Sequence, residues 1–210
     1  MRQLLLSAFE PFAGELINPS IEAARAVAKL EFPDTAVNLV ELPVERYRAV
    51  DIAIARMRSI EPEIMIMLGL AGGRFRINPE RVAINVDDFR IPDNAGNQPL
   101  GEPIIADGPA GYFSTLPIQA IADRLKEANV PAAVSNTAGT YLCNRLFYSV
   151  MHYIAVERVT TAAGFIHLPY LHEQTVNKES ELPSMSLATI VEGVRLAVEV
   201  SLSPPRVTTN

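Results

Sequence analysis

The chain contains a single cysteine, Cys143, within the stretch SNTAGTYLCNRLFYSV that runs from Ser135 to Val150. Small and polar residues precede the cysteine, and a segment of helical character follows it. The pattern predicts a sharp turn from a strand into a helix, with Cys143 at the start of the helix. Unpaired N–H groups there favour negative charge, which suits a thiolate nucleophile and the oxyanion it creates. The alternative is a buried apolar filler, because free cysteines are among the most buried residues.

A cysteine nucleophile needs a base and a group that orients the base. The chain has three histidines. His167 ends a predicted strand and is the first choice for the base; His172, on a predicted loop, is the second. His152 lies more than two turns into the helix after Cys143, and we interpret it as a helix-face residue. Two alternatives are a non-catalytic α/β binding module, in which Cys143 fills the core and a pocket holds a small amide, and a different small-molecule hydrolase or transferase on a similar sheet.

Local sequence leaves the orienting acid open among three carboxylates. Glu80 lies in the turn NPERV, and Asp87 and Asp88 end the next predicted strand. Each of them could instead belong to a structural ion pair, for instance with Arg81 or Arg90.

Apolar runs of strand length alternate along the chain with longer segments of helical period. Asn18 is predicted to cap the first helix, because Pro19 follows it at the first helical position. Between residues 88 and 115, Gly, Pro, Asp and Asn predict a long ordered excursion that contains a hairpin. The predicted strands are 3–9, 36–42, 63–70, 81–87, 132–135 and 160–168, and the predicted helices are 19–30, 45–58, 116–129, 143–156 and 184–201.

This alternation implies right-handed βαβ units. The predicted fold class is therefore α/β: one domain over residues 1–210, built as a three-layer sandwich with a mostly parallel twisted sheet flanked by helices. In such sheets, ligands bind beyond the carboxyl ends of the strands. Glu80, Cys143 and His167 each follow or end a predicted strand, so we expect them at one edge of the sheet.

Composition excludes several classes of partner. The formal charge is −6 without a basic stripe, which argues against nucleic acid, and no apolar run reaches the roughly 18 residues of a membrane span. A lone cysteine fits a reducing, cytoplasmic compartment.

The stretch AGGR at 71–74 matches neither nucleotide-binding loop, and no metal-ligand spacing occurs, so we expect no cofactor and no metal. The tail from about residue 203 is expected to be mobile.

Four longer stretches carry a resemblance to a known family: SAFEPFAGELINPS, GLAGGRFRINPERVAINVDDFRIPDN, SNTAGTYLCNRLFYSVMH and GFIHLPYLHEQ. In order and spacing they resemble the signature stretches of pyroglutamyl peptidase I, the pyrrolidone-carboxylate peptidase family of cysteine peptidases. The resemblance implies a triad of Glu80, Cys143 and His167. It also implies an exopeptidase that cleaves peptides after an N-terminal pyroglutamyl residue through an acyl-enzyme, and a homotetramer.

The resemblance further implies a substrate pocket. Phe9 and Phe12 would shape a slot for the pyrrolidone ring, and Tyr141 would border it. Asn18 and the backbone near Leu70 would bind the amide of the ring. These pocket residues, together with one near the oxyanion, are Phe9, Phe12, Asn18, Leu70, Tyr141 and Arg90.

The chain departs from the family pattern at two positions. Ala8 and Leu70 stand where the family usually has glycine and glutamine, respectively. Leu70 removes a polar side chain beside the expected ring-binding site. If the family's glutamine side chain binds substrate, affinity should suffer; if only the backbone binds, little should change.

Overall fold

A computed structural model describes residues 1–203 of the chain; the predicted mobile tail lies outside the described residues. Among these residues, no helix is both long and apolar enough to cross a membrane. The predicted helices are present, with ends that differ by up to three residues. In chain order the elements are β1 (Arg2–Phe9), α1 (Pro19–Val27), β2 (Thr35–Leu42), α2 (Arg48–Ile60), β3 (Ile64–Leu70), β4 (Asn78–Pro79), β5 (Val82–Ile84), β6 (Gly111–Phe113), α3 (Ile118–Glu127), α4 (Leu142–Glu157), β7 (Ala162–Leu168), β8 (Tyr170–Leu171), α5 (His172–Thr175), β9 (Ser184–Met185) and α6 (Leu187–Leu202).

Five strands form the central sheet in the order β2-β1-β3-β7-β4. The first four are parallel, and the short β4 pairs antiparallel with β7 at one edge. Strands β1, β3 and β7 are almost wholly buried, which is typical of parallel strands covered by helices on both faces. The structure confirms an α/β fold with a mostly parallel sheet flanked by helices.

Helices cover both faces of this sheet. α1, α3 and α6 pack on one face, and α2 and α4 pack on the other. Successive side chains of a strand point to opposite faces, so β7 sends Phe165 and His167 towards the α4 side and Ile166 and Leu168 towards the α6 side. The face that carries α4 is therefore the one that carries the histidine.

The predicted strand 81–87 is wrong in its extent and its sheet. Only Val82–Ile84 is strand, and it pairs antiparallel with β6 outside the central sheet. The chain then leaves this ladder because Asp87 is fully buried and exchanges both backbone hydrogen bonds with Glu102. The predicted excursion thus returns to its own starting strand through β6.

The predicted strand 132–135 is also wrong, because this segment meets residues 77–80 only through isolated bridges. Pro79 interrupts the ladder, since proline has no N–H to donate. The side chain of Asn78 replaces that donor: its Nδ2 donates to the carbonyl of Ala133 at 2.7 Å. The segment that leads into α4 is therefore held at the edge of the sheet without being a regular strand.

Candidate active site

Cys143 is the second residue of α4 and is partly exposed. Tyr141 precedes the helix in an extended conformation, and its side chain makes no capping hydrogen bond. The N–H groups of the first turn are therefore not occupied by a side-chain cap. Gly139, in the turn before them, has φ +75°, a conformation that favours glycine.

The sulfur of Cys143 lies against strand β3 at Gly69. A Cβ atom on Gly69 would lie 2.9 Å from Sγ and 2.7 Å from the ring of Phe165, so only glycine leaves room for the sulfur. Gly69 pairs with His167 in the neighbouring strand. Paired residues project from the same face of a sheet, so a side chain at Gly69 would point the same way as the imidazole of His167. The sulfur of Cys143 therefore lies over the same face of the sheet as this imidazole.

His167 is buried and is oriented by a carboxylate. Its Nδ1 donates to Oε1 of Glu80 at 2.7 Å, and Glu80 is fully buried. An ionised carboxylate can only accept hydrogen bonds, so Nδ1 carries the proton of the neutral ring. Nε2 is then unprotonated and is the ring nitrogen that can accept a proton.

The local environment sets the resting protonation states. Burial raises the pKa of Glu80, but the interactions with His167, Ser135 and Arg74 together outweigh it, and this pKa lies below its ordinary value. Burial lowers the pKa of His167, although Glu80 opposes the shift. The protein atoms around the sulfur and the charge of Glu80 raise the pKa of the Cys143 thiol. These shifts favour a neutral Cys143 thiol and a neutral His167 imidazole as the resting forms.

Arg74 completes this group, and our sequence reasoning missed it. Its Nη1 donates to Oε1 of Glu80 at 2.7 Å. From the sequence alone, the stretch AGGR suggests only a nucleotide-binding loop, whose pattern it does not match. One property of the sequence could have pointed to Arg74. A fully buried glutamate needs a cation beside it, and Arg74 lies six residues before Glu80.

The competing acids lie elsewhere. Asp87 accepts from Nε of Arg46 at 2.8 Å and from Arg145, so it is in an ion pair, as expected, but not with Arg81 or Arg90. Asp88 is exposed.

The other histidines have different partners. His152 is half-buried on α4, and its Nδ1 lies 2.8 Å from the hydroxyl of Tyr112. His172 is exposed and contacts Ser184 at 2.8 Å. Among residues 1–203, neither of these histidines hydrogen-bonds a carboxylate.

Three aromatic rings lie at or beside the turn that leads into Cys143. The ring of Tyr141 lies 6.3 Å from that of Phe12 and 4.6 Å from that of Phe89. Phe12 and Tyr141 are half-buried, so both offer ring surface to a ligand. Phe9 is only 4% exposed and packs in the core on the α4 side.

The remaining predicted pocket residues differ in environment. Asn18 is buried and caps α1, as predicted: its Oδ1 accepts from the backbone N–H of Ser20 at 3.0 Å, and its Nδ2 donates to the carbonyl of Glu10 at 3.0 Å. Leu70 ends β3 and is half-buried. Arg90 is exposed, and its side chain makes no ion pair with any of residues 1–203. In the same part of the chain, no three His, Cys, Asp or Glu side chains cluster as a metal site requires.

Comparisons of the sequence and of the fold with known proteins agree on one class of protein. The sequence profile of the pyroglutamyl peptidase family matches residues 2–203. The chain belongs to the pyroglutamyl peptidase family of cysteine peptidases.

Particular relatives cover nearly the whole chain. Pyrrolidone-carboxylate peptidase from Brevibacillus brevis is 46% identical over 206 residues, which are 98% of this chain and 95% of the relative. The crystal structure of Bacillus amyloliquefaciens pyroglutamyl peptidase I superposes with a TM-score of 0.91 at 42% identity, covering 96% of this chain and 97% of that one. Pyrrolidone carboxyl peptidase from Thermococcus litoralis superposes with a TM-score of 0.92 at 40% identity, covering 96% and 94%.

Proposed function

We propose that this protein is a cysteine exopeptidase that hydrolyses the amide bond after an N-terminal pyroglutamyl residue. The observation that carries the proposal is the placement of Cys143 and His167 over one face of the sheet, with Glu80 hydrogen-bonded to the histidine. The sulfur of Cys143 lies against Gly69, whose strand partner His167 donates Nδ1–H to the buried Glu80. The names of the relatives support the choice of substrate.

The resting protonation states favour general-base activation over a preformed ion pair. Nε2 of His167 takes the proton of the Cys143 thiol as the sulfur attacks the pyroglutamyl carbonyl carbon. Glu80 holds the ring orientation and stabilises the imidazolium that forms. N–H groups at the start of α4 stabilise the negative oxygen of the tetrahedral intermediate.

Collapse of the intermediate breaks the C–N bond. The imidazolium of His167 gives its proton to the leaving amine nitrogen, and a thioester of Cys143 remains. Water then transfers a proton to His167 and attacks the thioester carbon. Release of pyroglutamate returns the proton to the sulfur, so the enzyme is regenerated.

Specificity follows from the shape and polarity of the lactam. The ring is flat and neutral, with one N–H and one C=O, and the exposed ring surfaces of Phe12 and Tyr141 suit its faces. A free N-terminal glutamine would bring a charged amine into this apolar slot, at a cost of several kcal/mol. We assign the edge of the lactam to Asn18 and the backbone at Leu70, the base of the slot to Phe9, and the oxyanion side to Arg90.

Location and assembly are part of the proposal. A catalytic thiol must stay reduced, which the cytoplasm provides. The family resemblance supports a homotetramer. The absence of a basic stripe, of a long apolar run and of metal-ligand or nucleotide-loop spacing supports a single-domain subunit that binds no nucleic acid or membrane and needs no cofactor or metal.

Release of a chromogenic amine from its pyroglutamyl amide tests the proposal. The wild type should release the amine, and Cys143→Ala should reduce kcat by on the order of 10⁵-fold or more, because the nucleophile is gone. Circular dichroism would establish that the variant is folded. Substantial turnover by folded Cys143→Ala would end the nucleophile assignment, and a wild type without turnover would end the proposed activity.

A further inference from the structure

The stretch AGGR forms a tight turn directly after β3. The backbone N–H of Arg74 donates to the carbonyl of Ala71 at 3.2 Å, and Gly73 has φ +86°, which favours glycine. Gly72 allows close packing, since a Cβ there would lie 2.6 Å from the hydroxyl oxygen of Tyr170. The two glycines thus let the chain reverse so that the next side chain, Arg74, reaches back over the edge of the sheet.

The guanidinium of Arg74 joins two parts of the site. Nη1 donates to Oε1 of Glu80 at 2.7 Å and lies 3.3 Å from Oγ of Ser135. Nη2 donates to the carbonyl of Thr137 at 3.0 Å. Ser135 and Thr137 belong to the segment that leads into Cys143, so one side chain contacts both the acid and the nucleophile turn.

Charge balance gives this contact a second consequence. Glu80 is fully buried, and a buried carboxylate is costly unless a cation is beside it. His167 is neutral at rest and gains its positive charge only while it holds the proton of the thiol. Of the groups that hydrogen-bond Glu80, Arg74 is therefore the one that is permanently charged.

We propose that Arg74 is a positioning residue for the reaction: it holds the carboxylate of Glu80 in its charged, aligned form and fixes the turn that presents Cys143. The inference rests on the proposed function, because the residues it positions are those assigned to catalysis. In this proposal, the glycine-rich turn at residues 71–74 places the side chain of Arg74 against Glu80 and Thr137.

The charge of Arg74 also predicts the sign of a pH effect. Its positive charge lowers the pKa of both the Cys143 thiol and the His167 imidazole. Removing the charge should raise both pKa values. Removing the negative charge of Glu80 should lower both, so the two substitutions should shift the pH dependence of activity in opposite directions.

The experiment compares Arg74→Gln and Arg74→Lys with Arg81→Gln. Arg81 is a matched control: it is exposed, and its Nε donates to Oδ1 of Asn136 at 2.8 Å in the same turn, next to Thr137. We expect Arg74→Gln to lower kcat by about 10- to 100-fold, because both Glu80 and the turn that presents Cys143 would lose their alignment. KM should change less than threefold. The acid limb of kcat/KM should move about one pH unit higher.

Arg74→Lys separates charge from geometry. Lysine keeps the positive charge but cannot span Glu80 and Thr137 with a planar fork, so the acid limb should stay near the wild-type pH while kcat falls about three- to tenfold. Arg81→Gln should leave both kcat and the pH profile within twofold and about 0.2 units of the wild type.

A double-mutant cycle tests whether Arg74 acts through Glu80. In a Glu80→Gln background, Arg74→Gln should cost about three- to tenfold in kcat, less than in the wild type, because the charge it supports is already gone and only the contact with Thr137 is lost. The inference is overturned by an equal loss in both backgrounds, by an unmoved or lowered acid limb in Arg74→Gln, or by an equal loss in Arg81→Gln. Should Arg74→Gln not fold, Arg74→Lys with wild-type kcat would overturn it. A wild type without peptidase activity would instead contradict the proposed function.

Discussion

Two carboxylates in this protein, Glu80 and Asp87, are both fully buried, but their hydrogen-bond partners differ in part. Each accepts from an arginine, and each has one oxygen without a hydrogen-bond partner among residues 1–203. Glu80 also accepts from the imidazole of His167, whereas Asp87 accepts from a second arginine, Arg145.

The partners give the two carboxylates different electrostatics. Burial raises the pKa of both groups; at Glu80, His167 and its neighbours outweigh burial, and the pKa lies below its ordinary value. At Asp87 burial prevails over Arg145 and Arg46, and the pKa lies above its ordinary value. Burial and an arginine are thus common to both carboxylates, and the hydrogen bond to an imidazole is what distinguishes Glu80 from Asp87.

The partners of Asp87 define its structural role. Arg145 is on the first turn of α4, two residues after Cys143, and also donates to the carbonyl of Arg46 at 2.6 Å. Arg46 reaches from Asp87 to Glu102. This network ties the helix of the nucleophile to the loops around it.

The largest expected effect separates the two carboxylates by activity. Glu80→Gln should lower kcat on the order of 10³-fold, because glutamine cannot stabilise the imidazolium and can hold the ring in the wrong tautomer. Asp87→Asn should lower kcat by about tenfold or less. Steady-state kinetics of the two folded variants would measure this, and a larger loss in Asp87→Asn would move the orienting acid to Asp87.

The buried ion pairs of Asp87 should matter for stability as well. Asp87→Asn leaves two arginines beside a neutral amide, and we expect the free energy of unfolding to fall by about 3 kcal/mol. Urea denaturation would measure the change. Glu102→Gln is the matched control, since it removes an exposed partner of the same Arg46 and should cost at most about 1 kcal/mol. Equal losses in the two variants would contradict a structural role for buried Asp87.

The smallest of these effects is a pH shift. Burial lowers the pKa of His167 from its ordinary value of 6.5, and only the neutral ring can accept the thiol proton. Activity should therefore fall as the pH drops through this lowered pKa, so the midpoint of the acid limb of kcat/KM should lie below 6.5. In Glu80→Gln, the loss of the carboxylate that favours the protonated ring should move the midpoint lower still. A wild-type midpoint well above 6.5 would contradict the buried, neutral imidazole.

The contrast between the two carboxylates also shows what the sequence could supply. The run IMIMLGL was predictable as a central strand, and Asn18 as a helix cap, because each depends on neighbouring residues. The choice of Glu80 over Asp87 came from resemblance to a family, since both follow apolar residues in one short stretch.

Contacts between distant segments were not predictable in the same way. Arg145 lies 58 residues from Asp87, and Thr137 lies 63 residues from Arg74. Neither pairing leaves a periodic or local signal, because tertiary packing alone brings the segments together. The proline that breaks the ladder at residue 79 is local, but its replacement by the side chain of Asn78 depends on a strand edge more than fifty residues away.

The central claim is that Cys143 is the nucleophile beside a pyroglutamyl slot. Its most direct test is inactivation by a chloromethyl ketone analogue of pyroglutamate, followed by mass spectrometry of the digested protein. The account predicts loss of activity in step with one label per chain, on the peptide that contains Cys143, and protection by free pyroglutamate. Full activity after Cys143 is labelled, or inactivation with the label on another residue, would contradict it.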